Sequence, residues 1–172
     1  MKAYVSCIGL VCMALSLGAP AESRVGYIEV SMTLENSCLI NGTVDNHIGN
    51  LDFGTSDTFL TTKNAMVLSP DGLNITIQCS AGLEPTLTIL GGSNGAEGGT
   101  LGEAMKDDAG HYIPYGLFTD SGRTTPLPET GVYPLEPSDG TAQSILLYGR
   151  ADVPAGLPGG IYTDRVGTRL DF

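Results

Sequence analysis

Apolar residues in this chain return at every second position, and nowhere after residue 21 do they keep helical spacing for more than about two turns. Ile28, Val30, Met32 and Leu34 alternate with Glu29, Ser31, Thr33 and Glu35. Leu73, Ile75, Ile77 and Cys79 alternate with Asn74, Thr76, Gln78 and Ser80. A period of two puts one set of side chains on each face of a pleated strand, so both segments are expected as half-buried strands. Further strands are expected at Cys38 to Val44, Asn50 to Phe53, Pro85 to Leu90, Tyr112 to Thr119, Gln143 to Gly149 and Ile161 to Phe172. Turn-rich segments separate them, among them Asp107-Asp108-Ala109-Gly110, Asp120-Ser121-Gly122 and the Pro/Gly run from Pro154 to Gly160. Short strands so punctuated predict an all-β, antiparallel β-sandwich, with a closed barrel as the alternative.

The first residues have a different character. Lys2 precedes an apolar stretch from Tyr4 to Leu17 that ends on Ala19-Pro20-Ala21, the small-x-small pattern of signal-peptidase cleavage. The stretch is too short to span a bilayer, so residues 1–21 are expected to be a signal peptide and the mature chain to have no membrane span. Residues 22–172 then suit a single domain.

Of the four cysteines, Cys7 and Cys12 lie in the leader, leaving Cys38 and Cys79. In an exported protein an even pair reads as a disulfide, worth about 4 kcal/mol for a loop of this length, with two buried thiols as the alternative. No zinc set accompanies them, because His47 and His111 stand alone in turn-like contexts, and no other metal site is expected. Eight Lys and Arg against nineteen Asp and Glu disfavour a nucleic-acid partner. No nucleophile with a base and no facing carboxylate pair stands out, so neither catalytic residues nor a cofactor are expected. The Gly-rich run from Gly91 to Gly102 lacks the Lys-Ser/Thr ending of a phosphate loop and reads as a flexible hairpin tip. Asn41-Gly42-Thr43 and Asn74-Ile75-Thr76 match the glycosylation pattern and are read as chance matches.

Five ordered blocks carry a resemblance. Gly26-Tyr27-Ile28-Glu29-Val30-Ser31-Met32-Thr33-Leu34 before Cys38 resembles the N-terminal donor strand of archaic (Csu-type) chaperone-usher pilins, which share the spore coat protein U domain. Leu51-Asp52-Phe53-Gly54 and Ile75-Thr76-Ile77-Gln78-Cys79 are similar to that domain's strands around its two cysteines. Tyr115-Gly116-Leu117-Phe118-Thr119-Asp120-Ser121-Gly122-Arg123-Thr124 resembles its Y-x-L-[YF]-x-D-x-x-R-T segment. Leu147-Tyr148-Gly149-Arg150 with Pro154-Ala155-Gly156 resembles its YGR…PAG segment, and Gly160-Ile161-Tyr162-Thr163-Asp164 leads into a terminal strand.

The resemblance implies an incomplete immunoglobulin-like sandwich, completed by a donor strand from a neighbouring subunit or a chaperone. It implies a structural pilus subunit at the cell surface, serving adhesion or biofilm formation, whose partners are a periplasmic chaperone, an outer-membrane usher and identical or related subunits. Residues 22–36 would be the donor extension, with Ile28, Val30, Met32 and Leu34 as its buried side chains, and 37–172 the domain. Val166, Leu170 and Phe172 would border the groove and meet the chaperone. The departure is Gly167, which interrupts the terminal strand where relatives keep Thr/Val alternation. Two readings from other classes remain: a self-complete carbohydrate-binding or adhesive sandwich presenting Tyr112, Tyr115, Phe118, Tyr133 and Tyr148 to a ligand, and a secreted spore or coat structural protein.

Overall fold

The computed structural model describes residues 22–44, 46–59, 61–127 and 130–172; the expected signal peptide, 1–21, lies outside the described residues. The chain divides into two units, Met1–Leu34 and Glu35–Phe172. Within the first, residues 22–34 form neither strand nor helix, and every one of them is exposed. The half-buried strand expected from Ile28 to Glu35 is therefore absent from the chain's own sheets.

The second unit is built from β1 (Cys38–Ile40), β2 (Asn50–Leu51), β3 (Thr61–Leu68), β4 (Ile75–Cys79), β5 (Thr86–Gly91), β6 (Glu103–Lys106), β7 (Tyr112–Phe118), β8 (Val132–Tyr133), β9 (Gln143–Ile145), β10 (Tyr148–Val153) and β11 (Gly167–Asp171). They form three sheets, ordered β1-β4-β9, β2-β3-β10-β7-β6 and β11-β5-β8. Each pairing is antiparallel. Every sheet has open ends, so the expected sandwich is realised and the closed barrel is not.

One core joins the three sheets. Ile75, Ile77 and Cys79 come from β4, Leu87 and Ile89 from β5, and Leu117 and Ile145 from β7 and β9. A smaller cluster of Ile113, Tyr115, Ala151 and Val153 lies between β7 and β10. The sandwich is sealed where two of the sequence blocks meet. A Cβ on Gly149 would come within 2.7 Å of Leu51 and 3.0 Å of Phe53, so only glycine lets the Leu-x-Phe segment lie flat on β10. On β10's other neighbours, Arg123 donates from Nε to the Gly149 carbonyl (2.9 Å) and from Nη2 to the Ala65 carbonyl (3.0 Å), while its guanidinium stands 5.7 Å over the Tyr148 ring. Asp120 holds that loop by accepting from the Thr124 and Thr125 amides, at 3.0 and 2.6 Å.

Several boundaries differ from expectation for identifiable reasons. The first strand stops at Ile40 instead of Val44, because Asn41 and Gly42 both take positive φ (51° and 72°) in a two-residue turn that pairs Ile40 with Thr43. The single strand expected from Gln143 to Gly149 is two, β9 and β10, in different sheets, with the chain changing sheet at Leu146-Leu147. The Gly91 to Gly102 run is not a hairpin tip: it makes two 3₁₀ turns, Gly95–Glu97 and Gly99–Leu101, while carrying the chain from the β5 sheet to the β6 sheet. The terminal strand starts at Gly167, opposite Gly91, and a register shift between Gly167 and Thr168 leaves Leu90 of β5 as the extra residue.

Candidate functional site

Among the described residues, two sheet-end strands, β1 and β11, line the same gap in the sandwich. Among the described residues β11 pairs only with β5, while β1 pairs with β4 and, at Ile40, with Thr43 of the turn that follows. Between them lies a cleft of about 290 Å³. One wall is Thr168, Leu170 and Phe172; the other includes Cys38, Ile40 and Val44. Val44 is 85% and Phe172 59% exposed, so the cleft presents apolar surface to solvent. Leu170 and Ile40 reach from the cleft to the main core, so whatever fills it would continue that core.

Both walls are held firmly although each is short. β1 has three residues, but Cys38 and Cys79, directly opposite in register, are joined by a disulfide. Beyond it, the Asn41 side chain donates to the Ile48 carbonyl (2.8 Å) and accepts from the Thr76 amide (3.1 Å). The disulfide and the Thr76 bond hold the edge strand to β4, the Ile48 bond holds the following loop against it, and the Ile40 amide and carbonyl are both bonded to Thr43 at 2.9 Å.

The opposite wall is fixed at its entrance. Tyr115 donates its hydroxyl to Asp164 Oδ2 at 2.8 Å, three residues ahead of β11. Burial, then the hydrogen bond to Asp164, pushes the Tyr115 phenol well above its usual 10, so it stays a neutral donor at any physiological pH. Thr163 exchanges two backbone hydrogen bonds with Lys106, at 2.9 and 3.1 Å. Strand β11 alternates as its sequence suggests: Thr168, Leu170 and Phe172 face the cleft, while Arg169 and Asp171 face solvent.

Of the residues singled out in the sequence, Leu170 and Phe172 line the cleft, whereas Val166 packs against both core clusters. Ile28, Val30, Met32 and Leu34 are 89, 90, 84 and 82% exposed. The aromatic set does not form a ligand platform, for Tyr115 and Phe118 are buried and Tyr112, Tyr133 and Tyr148 half-buried. Sequence reading missed the other wall of the cleft, Ile40, Val44 and Ile48. Asn41-Gly42, a strong turn signal between apolar residues, marks it.

Other polar groupings serve local structure. His111 Nδ1 meets Asp107 Oδ2 at 2.8 Å inside a turn where Asp107 also accepts the His111 and Ala109 amides. His47 Nε2 and Asn50 Oδ1 are 3.1 Å apart at the surface. A second hollow of about 210 Å³ overlies the smaller core cluster, and its Asp52 and Asp57 are taken up by the Gly54 and Phe59 amides of their own loop. Among the described residues no three His, Cys, Asp or Glu side chains converge to hold a metal. No helix among them is long and apolar enough to cross a membrane.

Comparison with known proteins bears on the same features. The family model described as Spore Coat Protein U domain matches residues 25–168. No curated protein matches the sequence. Among solved structures, the chain is similar to one in the crystal structure of the CsuC-CsuE chaperone-tip adhesion subunit pre-assembly complex from archaic chaperone-usher Csu pili of Acinetobacter baumannii. The TM-score is 0.52 at 20% identity, over 81% of this chain and 40% of that one. The likeness is one of fold, and the present chain spans well under half of that chain's length.

Proposed function

This chain belongs to the Spore Coat Protein U domain family, and on that premise we propose that it is a structural subunit of an archaic chaperone-usher pilus or a related surface fibre, assembled by donor-strand complementation. The observation that carries the reading is a pair of complementary gaps. The domain leaves a partly apolar cleft between the edges of β1 and β11, and the same chain carries ahead of it an alternating apolar segment that forms no strand.

A strand laid in the cleft would pair its main chain with an open edge and set every second side chain against Leu170 and Ile40. Burying Ile28, Val30, Met32 and Leu34 would contribute roughly 1.5–3 kcal/mol each, or on the order of 6–12 kcal/mol as an upper bound. In this reading residues 1–21 are the export signal, 22–36 the donor extension and 37–172 the receiving domain. A periplasmic chaperone fills the cleft first, with Leu170 and Phe172 at the contact and Val166 beneath them. At an outer-membrane usher, the donor segment of the next subunit then takes the chaperone's place. The exchange runs downhill when the final strand fits better, so no cofactor or nucleotide enters it and the subunit is not an enzyme. Its place is the cell surface, where such fibres support adhesion or biofilm formation.

The test compares protein spanning residues 22–172 with protein starting at Asn36, by size exclusion and by SDS gels run without boiling. A denaturant-resistant ladder that disappears with the deletion supports strand donation. Stable monomers from both would show the sandwich to be complete in itself and overturn strand donation.

A further inference from the structure

Alternation alone leaves the donor strand's register ambiguous. A one-residue slip turns Glu29, Ser31 and Thr33 into the cleft and is excluded by burial, but a two-residue slip keeps Ile28, Val30, Met32 and Leu34 facing inward. Something on the outward face must distinguish registers two residues apart.

The outward face of β11 carries charge. Arg169 and Asp171 are both exposed, with Nε and Oδ2 2.8 Å apart, and Arg165 is exposed just before the strand. This is a notable concentration in a chain with eight Lys and Arg and a formal charge of −11. Arg123 and Arg150 are stacked over Tyr148 and Phe118. The outward residues of the donor segment are Tyr27, Glu29, Ser31, Thr33 and Glu35, whose charges are all negative. Acidic donor face and arginine-bearing edge are complementary.

We propose that Arg169 is the register-setting residue of the cleft, selecting the donor strand of a second copy of this chain through that copy's Glu29. The inference rests on the donor-strand reading. With the donor antiparallel to β11, as every pairing in the domain is antiparallel, Glu29 opposite Arg169 sets Ile28 against Leu170, Val30 against Thr168 and Met32 against Val166. Tyr27 then faces Asp171 without repulsion. A slip of two residues in one direction sets Ser31 against Arg169 and Glu29 against Asp171, a like-charge pair within the strand, while Glu35 comes opposite Arg165, which lies before the strand begins. A slip in the other direction sets Glu29 against Gly167 and Gly26 against Leu170, so both the ion pair and one apolar contact vanish. Arg169 meets Glu29 in the intended register alone.

The experiment uses residues 22–172 carrying Glu29→Arg, Arg169→Glu, both changes, or Arg169→Lys. Initial assembly rates are measured at low salt and in 1 M NaCl. Each single reversal is expected to slow assembly about three- to tenfold, since paired and like charges across strands differ by about one kcal/mol. The double reversal is expected to restore the rate, Arg169→Lys to keep it near wild type, and 1 M salt to erase the differences. Both positions are exposed, so melting temperatures should not move. Single reversals that assemble at the wild-type rate, or a double variant as slow as the two single losses combined, overturn the proposal while leaving strand donation in place. Wild-type protein that never assembles overturns both.

Discussion

Placing a carboxylate at Val30 separates donation from reception. Val30 is 90% exposed in the subunit, so Val30→Asp should leave its stability within about 0.5 kcal/mol of wild type, as surface substitutions do. In the proposed fibre the same side chain enters the cleft. There the variant forfeits the transfer energy of a buried valine, roughly 1.5–3 kcal/mol, and adds the cost of an unpaired buried carboxylate, at least about 2 kcal/mol more. A total on the order of 4–5 kcal/mol weakens donation about a thousandfold. The cleft of the variant is untouched, so it still accepts a wild-type donor. Mixed into wild-type subunits, it therefore caps fibres, and mean length by electron microscopy should fall in proportion to the fraction added. Ser31→Asp, on the outward face of the same segment, is the control and should assemble. Normal fibre length with Val30→Asp, or equal damage from Ser31→Asp, would refute burial of the alternate face.

Three further outcomes follow from the domain itself. Cys79→Ala should lower subunit stability by up to about 4 kcal/mol, seen as a lower melting temperature and reduced yield, with the amides of β1 exchanging first because the disulfide pins that edge. Gly149→Val should destabilise by about 1–3 kcal/mol in denaturant melts, because its side chain collides with Leu51 and Phe53. Asp120 titrates below its ordinary 3.8, chiefly through the hydrogen bond from the Thr125 amide and then those from Thr124, so its contribution to stability is present above pH 3.8 and is lost as pH falls through its lower folded value. NMR titration should show a depressed Asp120 midpoint, and Asp120→Asn should flatten that part of the acid stability profile.

Much of the architecture is written in the period of the sequence, and what escaped reading did so for physical reasons. Strands β4, β5 and β7 were legible because a buried face forces apolar residues onto alternate positions. Strand β3 was not, for its first half half-buries Thr61 and Lys63, and its second half, from Ala65 to Leu68, is half-buried without alternation. Strand β6 opens on buried Glu103, whose carboxylate accepts the Gly92 amide at 2.8 Å, a tertiary partner no local pattern reveals. Strand β8 has only two residues, too few for any period. At the cleft, the alternation of Thr168, Leu170 and Phe172 could be read, whereas the facing wall depends on the Asn41-Gly42 turn bringing Val44 back beside Ile40. The most regular alternation in the chain, Ile28 to Leu34, belongs to no sheet of its own domain. Periodicity states which face of a strand is to be buried and says nothing about which molecule buries it.

That last point is open to direct measurement by hydrogen exchange on residues 22–172, comparing isolated subunits with assembled fibres. The amides of residues 27–35 are expected to exchange freely in the subunit and to become as slow in the fibre as those of β4, with β11 gaining protection along its open edge. Fibres in which residues 27–35 still exchange freely would contradict strand donation and require another interface to hold the subunits together.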